Sequence, residues 1–153
     1  NIISKFTPRI EEVLSEETAY LMLNLLQNVV LTGTARRLYV EPYNLRNQIG
    51  GKTGTTQEHS DGWFMGVTPN LVGGVWSGWE DRSIHFETIG EGQGANMALP
   101  IFAIFLKKVY NDPQLGIMEA DEFERPANFN MELDCDKAKR ESSGRGNQQR
   151  YRY

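Results

Sequence analysis

Residues 62–78 constrain the fold more than any other stretch. Two runs of aromatic and β-branched residues, Gly62 to Thr68 (GWFMGVT) and Leu71 to Gly78 (LVGGVWSG), are separated only by Pro69-Asn70. Such side chains suit a pleated, half-buried surface, and a proline-asparagine pair punctuates them with a tight turn. The runs therefore predict an antiparallel hairpin. Just upstream, Ile49 to Thr56 (IGGKTGTT) reads as a further extended segment.

Helices flank this β region on both sides. Ser15 offers an N-cap oxygen, Glu16 and Glu17 suit a positive helix end, and Ala19, Met22, Leu25, Leu26, Val29 and Val30 recur at spacings of three and four. That helix should stop near Gly33. A second helix is expected after Asn96 as its cap, with Leu99, Phe102, Phe105, Leu106, Val109 and Tyr110 on one apolar face and Pro100 in its first turn. Residues 2–14 read as an extended lead-in, 34–48 as a loop with at most a short strand, and 82–89 as a further strand or a rim loop ending in GEGQG. Two amphipathic helices with at least three consecutive strands predict an α+β fold, an antiparallel sheet with packing helices.

A chain of 153 residues is long enough for one core and short for two. From Glu119 the composition turns polar, first acidic (EADEFERP), then basic and rich in Ser, Gly, Gln and Asn (KAKRESSGRGNQQRYRY). We therefore expect residues 1–118 to form the folded portion and 119–153 a flexible tail, since such a segment buries too little apolar surface to offset its ordering entropy. The net charge of -4 gives no basic footprint for nucleic acid. The longest apolar run, Ala98 to Leu106, is too short to cross a bilayer, and no signal-peptide pattern follows Asn1. A start at Asn1 instead of Met suggests a piece of something longer. Cys135 is the single cysteine and cannot form an internal disulfide.

Several motifs resemble sites and fail on context. A nucleotide P-loop needs a glycine where Arg46 stands, and a helix after the lysine, where TGTTQEHSDGWF shows no helical stripe. Gly90 to Ala95 fits a loose dinucleotide pattern, but no strand with an acidic end follows the next helix, so the glycines read as a flexible bend. His59 and His85 have no metal-ligand spacing, and Ser77 lacks the glycine that a nucleophile elbow requires.

Lys52 to Thr56 makes fuller use of its residues as a strand. Thr53 and Thr55 then share one face, Lys52 and Gly54 the other. Two hydroxyls can grip a carboxylate, a nearby ammonium adds attraction, and Gly54 lets a substrate backbone approach closely.

With VLSEETAYLMLNLLQNVV, GTARR, GGKTGTT, DGWFMGVTPNLVGGVW and GANMALPIF in this order, the chain resembles the transpeptidase domain of penicillin-binding proteins, in particular the bifunctional class A enzymes. The resemblance runs from Glu12 to about Tyr110. It implies that Lys52 is the lysine of the family's third motif, that Thr53 and Thr55 hold the carboxylate of a donor peptide or β-lactam, and that the Thr55 N–H is one oxyanion donor. Gly54 and Thr56 complete the implied substrate-binding segment, while Asp61, Trp63 and Phe64 begin a supporting strand. No metal or cofactor is implied.

The family's nucleophile, a serine in S-x-x-K, is missing: Ser15 leads to Thr18, Ser60 to Trp63 and Ser77 to Glu80. The S-x-N motif is missing too. The chain thus reads as the C-terminal part of a transpeptidase domain plus a tail, inactive alone, with the upstream half of that domain as partner and stem peptides and β-lactams as ligands. The parent would lie on the periplasmic face of the inner membrane, anchored upstream, with a glycosyltransferase domain upstream as well and no membrane contact from this segment. A β-lactamase-type hydrolase and a non-catalytic binding or regulatory module of the same fold are the alternatives.

Overall fold

A computed structural model of the chain describes residues 7, 9, 11–133 and 137. The described elements run in the order α1 (Glu16–Leu31), β1 (Gly50–Thr55), β2 (Asp61–Val67), β3 (Val72–Gly78), α2 (Ile89–Gly92), α3 (Gly94–Met97) and α4 (Leu99–Tyr110). Short 3-10 turns lie at Arg36–Tyr39, Gln57–His59 and Pro113–Leu115. The chain is α+β, and its three strands form one antiparallel sheet in the order β1-β2-β3. The predicted hairpin is β2 and β3, closed where Thr68 donates its N–H to the Leu71 carbonyl at 2.8 Å.

Contacts divide the chain into two compact units, Met22–Arg125 and a second made of Asn1–Leu21 with Pro126–Tyr153. In the second, Ser15 Oγ accepts the Thr18 N–H at 3.3 Å as the N-cap of α1, and the Tyr20 and Phe129 rings meet edge-on with centroids 4.9 Å apart. Most of the expected lead-in, most of the tail and Cys135 lie outside the described residues. The first unit continues through Arg125, past the composition change at Glu119. There Glu119 Oε1 accepts the Arg46 N–H at 2.7 Å, and Gln48 Oε1 accepts the Phe123 N–H at 2.9 Å.

The core of Met22–Arg125 lies between one face of the sheet and α4. Phe64 and Phe102 meet there at 5.0 Å between centroids, with Leu99, Ala103 and Leu106 buried around them. Gly51, Gly66 and Gly73 pair across the three strands and form a flat row. A Cβ on Gly66 would lie 2.3 Å from Phe102 Cζ, and one on Gly73 would lie 3.0 Å from Phe102 Cε2. The Phe102 ring therefore sits where side chains would otherwise stand, which is why Gly66 and Gly73 are glycine.

Both helices turn a narrower face inward than their periodicity predicts. In α1, Val30 is fully buried and Leu26 packs against Gly50, but Met22 and Leu25 remain 47% and 59% exposed. In α4, Phe105 is 45% exposed and Ala103 takes the buried position instead. Asn96 is no helix cap: it lies within α3, and α4 begins at Leu99 with no side-chain cap and Pro100 in its first turn. Residues 79–88 form neither strand nor helix, and the glycine cluster beyond them folds as α2 and α3.

Candidate active site

β1 is an edge strand: β2 lies on one side and, among the described residues, no strand lies on the other. Thr56 turns its N–H inward to the Asp61 carbonyl at 3.0 Å. Because backbone N–H groups alternate along an antiparallel strand, the Thr55 N–H faces the open edge. The register pairs Lys52 with Met65, Thr53 with Phe64, Gly54 with Trp63 and Thr55 with Gly62. Thr53 and Thr55 thus share the face of Phe64, and Lys52 and Gly54 share the face of Met65 and Trp63.

The side chains of Lys52, Thr53 and Thr55 each have a defined partner. Thr55 Oγ1 accepts the Gly94 N–H at 3.1 Å. An amide N–H can only donate, so the Thr55 hydroxyl proton stays free to point elsewhere. Thr53 Oγ1 lies 2.9 Å from Thr34 Oγ1, and Lys52 Nζ donates to the Thr53 carbonyl at 2.7 Å. Among the described residues, the hydrogen-bond partners of Lys52, Thr53 and Thr55 include no carboxylate. Two hydroxyls, one outward N–H and one ammonium along a single edge suit an extended backbone ending in a carboxylate.

Beyond Thr55 the strand is clasped by Asp61, a buried carboxylate to which no cation is bonded among the described residues. Asp61 Oδ1 accepts Trp76 Nε1–H at 3.1 Å, and Oδ2 accepts the hydroxyls of Thr56 and Ser60, each at 3.2 Å. The Asp61 N–H in turn donates to Thr56 Oγ1 at 2.9 Å. Thr56 therefore holds the β1–β2 connection with the hydroxyl that the resemblance implies for substrate. Gly78 makes room for the clasp, since a Cβ there would lie 2.4 Å from Asp61 Oδ1. Within the connection Glu58 and His59 both have left-handed backbones (φ 59° and 58°), each costing about 1–3 kcal/mol in a non-glycine residue.

Sequence reasoning missed Gly94, Thr34 and the clasp. A Cβ on Gly94 would lie 2.4 Å from the carbonyl oxygens of both Gly54 and Trp63, so α3 starts against the sheet only because that residue is glycine. The signal for Gly94 lay in the glycine cluster GEGQGA, read as a bend. Of the other residues considered, His85 lies in the exposed 79–88 segment with Nδ1 3.0 Å from the Phe86 carbonyl oxygen, and Ser77 pairs with Gly62 in β3. A cleft of about 340 Å³ bounded by Ser60, Ser77, Trp79 and His85 contains none of Lys52 to Thr56. No group of His, Cys, Asp and Glu able to hold a metal occurs among the described residues, and no described helix is long and apolar enough to cross a membrane.

No family model matches the chain. It is 37% identical over 109 residues to penicillin-binding protein 1A of Aquifex aeolicus, covering 71% of this chain and 14% of that protein. Against penicillin-binding protein 1A of Pseudomonas aeruginosa the identity is 35% over 109 residues, covering 71% of this chain and 12% of the relative. The crystal structure of penicillin-binding protein 1A from Haemophilus influenzae superposes with a TM-score of 0.59 at 27% identity, over 74% of this chain and 16% of that one. The chain thus spans about one seventh of the length of the relatives it matches.

Proposed function

Because this chain belongs, as a partial segment, to the class A penicillin-binding protein family, we propose that it forms one wall of a peptidoglycan D,D-transpeptidase site. The observation that carries this reading is the edge strand itself. Its threonine hydroxyls, its outward Thr55 N–H and Lys52 line the open outer edge of β1.

A serine elsewhere in the full-length protein attacks the carbonyl of the penultimate D-Ala of a stem peptide. The terminal D-Ala leaves as an amine, and a second amine on a neighbouring strand takes the acyl group and regenerates the serine. Thr53 and Thr55 bind the terminal carboxylate, and Lys52 adds positive charge at the strand. Gly54 admits the substrate backbone, and Thr56 fixes the end of β1. The Thr55 N–H is one donor to the oxyanion of the tetrahedral intermediate, a role worth about 3–4 kcal/mol per donor in other acyl-transfer enzymes. Penicillins act as the donor peptide does and leave a stable acyl-serine.

The sheet face carrying Trp63, Met65, Val72 and Trp76 is exposed and apolar, and we assign the upstream half of the transpeptidase domain to it. In this reading the protein is membrane-anchored with its catalytic domain in the periplasm, and the segment alone turns over nothing.

Intact mass of the full-length protein after incubation with a penicillin tests the reading. One adduct is expected on that protein and none on the 153-residue chain. Lys52→Ala should slow acylation about 100-fold with little change in melting temperature, a loss of about 2.7 kcal/mol of transition-state stabilisation. Absence of any adduct on the full-length protein would overturn the reading, and equal loss of acylation and stability would make Lys52 structural.

A further inference from the structure

Thr34 reaches the candidate site from outside every motif that defines it. It stands just after the turn that ends α1, and its Oγ1 lies 2.9 Å from Oγ1 of Thr53, 19 residues along the chain. Either oxygen can donate in that pair. A bound carboxylate removes the ambiguity, because it only accepts. Thr53 must then donate its single proton to the carboxylate, and the contact with Thr34 survives only if Thr34 donates to Thr53. A hydroxyl that accepts one hydrogen bond becomes a better donor of another.

The neighbouring hydroxyl is arranged in the same sense. Thr55 Oγ1 accepts from the Gly94 N–H, a group that cannot reverse its role. One carboxylate-binding hydroxyl is thus polarised by a backbone amide and the other by a side chain. We infer that Thr34 is a positioning residue for substrate recognition: its O–H donates to Thr53 and holds the Thr53 proton toward the substrate carboxylate. This inference rests on the transpeptidase reading above. Thr34 is exposed, so its substitution reports on this contact with little disturbance of the core.

The test measures second-order acylation rates of the full-length protein by a fluorescent penicillin and by the methyl ester of the same compound. Thr34→Val should lower the rate with the free acid about 3- to 10-fold, the size of one lost hydrogen bond. The ester rate should change by less than about twofold, because the ester lacks the anionic acceptor. Thr34→Ser should restore the acid rate to within about twofold, and Thr34→Ala should behave as Thr34→Val. A structural role would not discriminate acid from ester, so equal losses on both would overturn the inference, as would acid rates unchanged in both Val and Ala variants. A wild-type protein that forms no adduct with either compound would overturn the transpeptidase reading and this inference with it. Normal wild-type acylation with an indifferent Thr34 overturns the inference alone.

Discussion

The two faces of the sheet differ in composition and in fate, and the face richer in large apolar residues is the more exposed one. On one, Phe64 is fully buried with its ring over Gly51, and Gly66 and Gly73 receive the Phe102 ring. On the other, Trp63 pairs with Trp76 and Met65 with Gly74, and the large side chains stay exposed. Strand alternation predicts that residues divide between faces, but it does not say which face is covered. Each face carries four glycines, but on the covered face three of them, Gly51, Gly66 and Gly73, stand in one row across the strands, and that continuous gap lets a helix approach.

Substitutions on the two faces should therefore separate by size. The largest effect is expected for Gly66→Ala. Its new Cβ would overlap Phe102, so the helix or the strand must move, at about 3 kcal/mol or more in chemical denaturation of the full-length protein. A shift of the midpoint by less than a third of that would mean that the aromatic ring yields easily and the row is not what seats α4.

Next comes Asp61→Ala, which leaves Trp76 Nε1–H and two hydroxyls without their acceptor. A loss of about 2–3 kcal/mol is expected, together with slower penicillin acylation as the end of β1 loosens. Acylation that survives while stability falls would separate the clasp from the site.

Met65→Ala gives the sharpest contrast. On an uncovered face it should cost less than about 0.5 kcal/mol, but a loss of about 2–3 kcal/mol in the full-length protein would place packed side chains over this face. The second outcome supports the assignment of the upstream half to it.

The smallest effect concerns Tyr110, at the end of α4. Burial first, and then the charge of Glu119, push its pKa from 10.0 up to about 12. Below pH 10 both folded and unfolded states keep the proton. Between 10 and 12 only the unfolded chain ionises, so stability falls across that window. Tyr110→Phe should flatten the decline, and an unchanged slope would assign it to other groups.

Local pattern made much of this molecule legible. The hairpin, the Lys52–Thr55 strand, α1 with its Ser15 cap and α4 all follow from residues close in sequence. Contacts between distant residues did not show: Thr34 with Thr53, and Gly94 with Thr55 across 39 residues. Nothing in GTARR says that its threonine turns toward the strand, and a glycine in GEGQGA is equally consistent with a bend or a close approach. Periodicity also over-assigned the core, because Met22, Leu25 and Phe105 fit a helical stripe and yet remain about half exposed. Residues 119–125 misled by composition: Glu119 accepts the Arg46 N–H and Phe123 donates its own N–H to the Gln48 side chain, a way of packing that hydropathy does not register.

An edge open to one extended backbone is open to any other, including the same strand of a second molecule. Natural sheets discourage such pairing by placing charge on the exposed strand, and Lys52 is the only charged residue in β1. The ammonium that favours an anionic ligand thus also repels its own image. Its removal would leave a neutral, threonine- and glycine-lined edge, on which ligand binding competes with self-association.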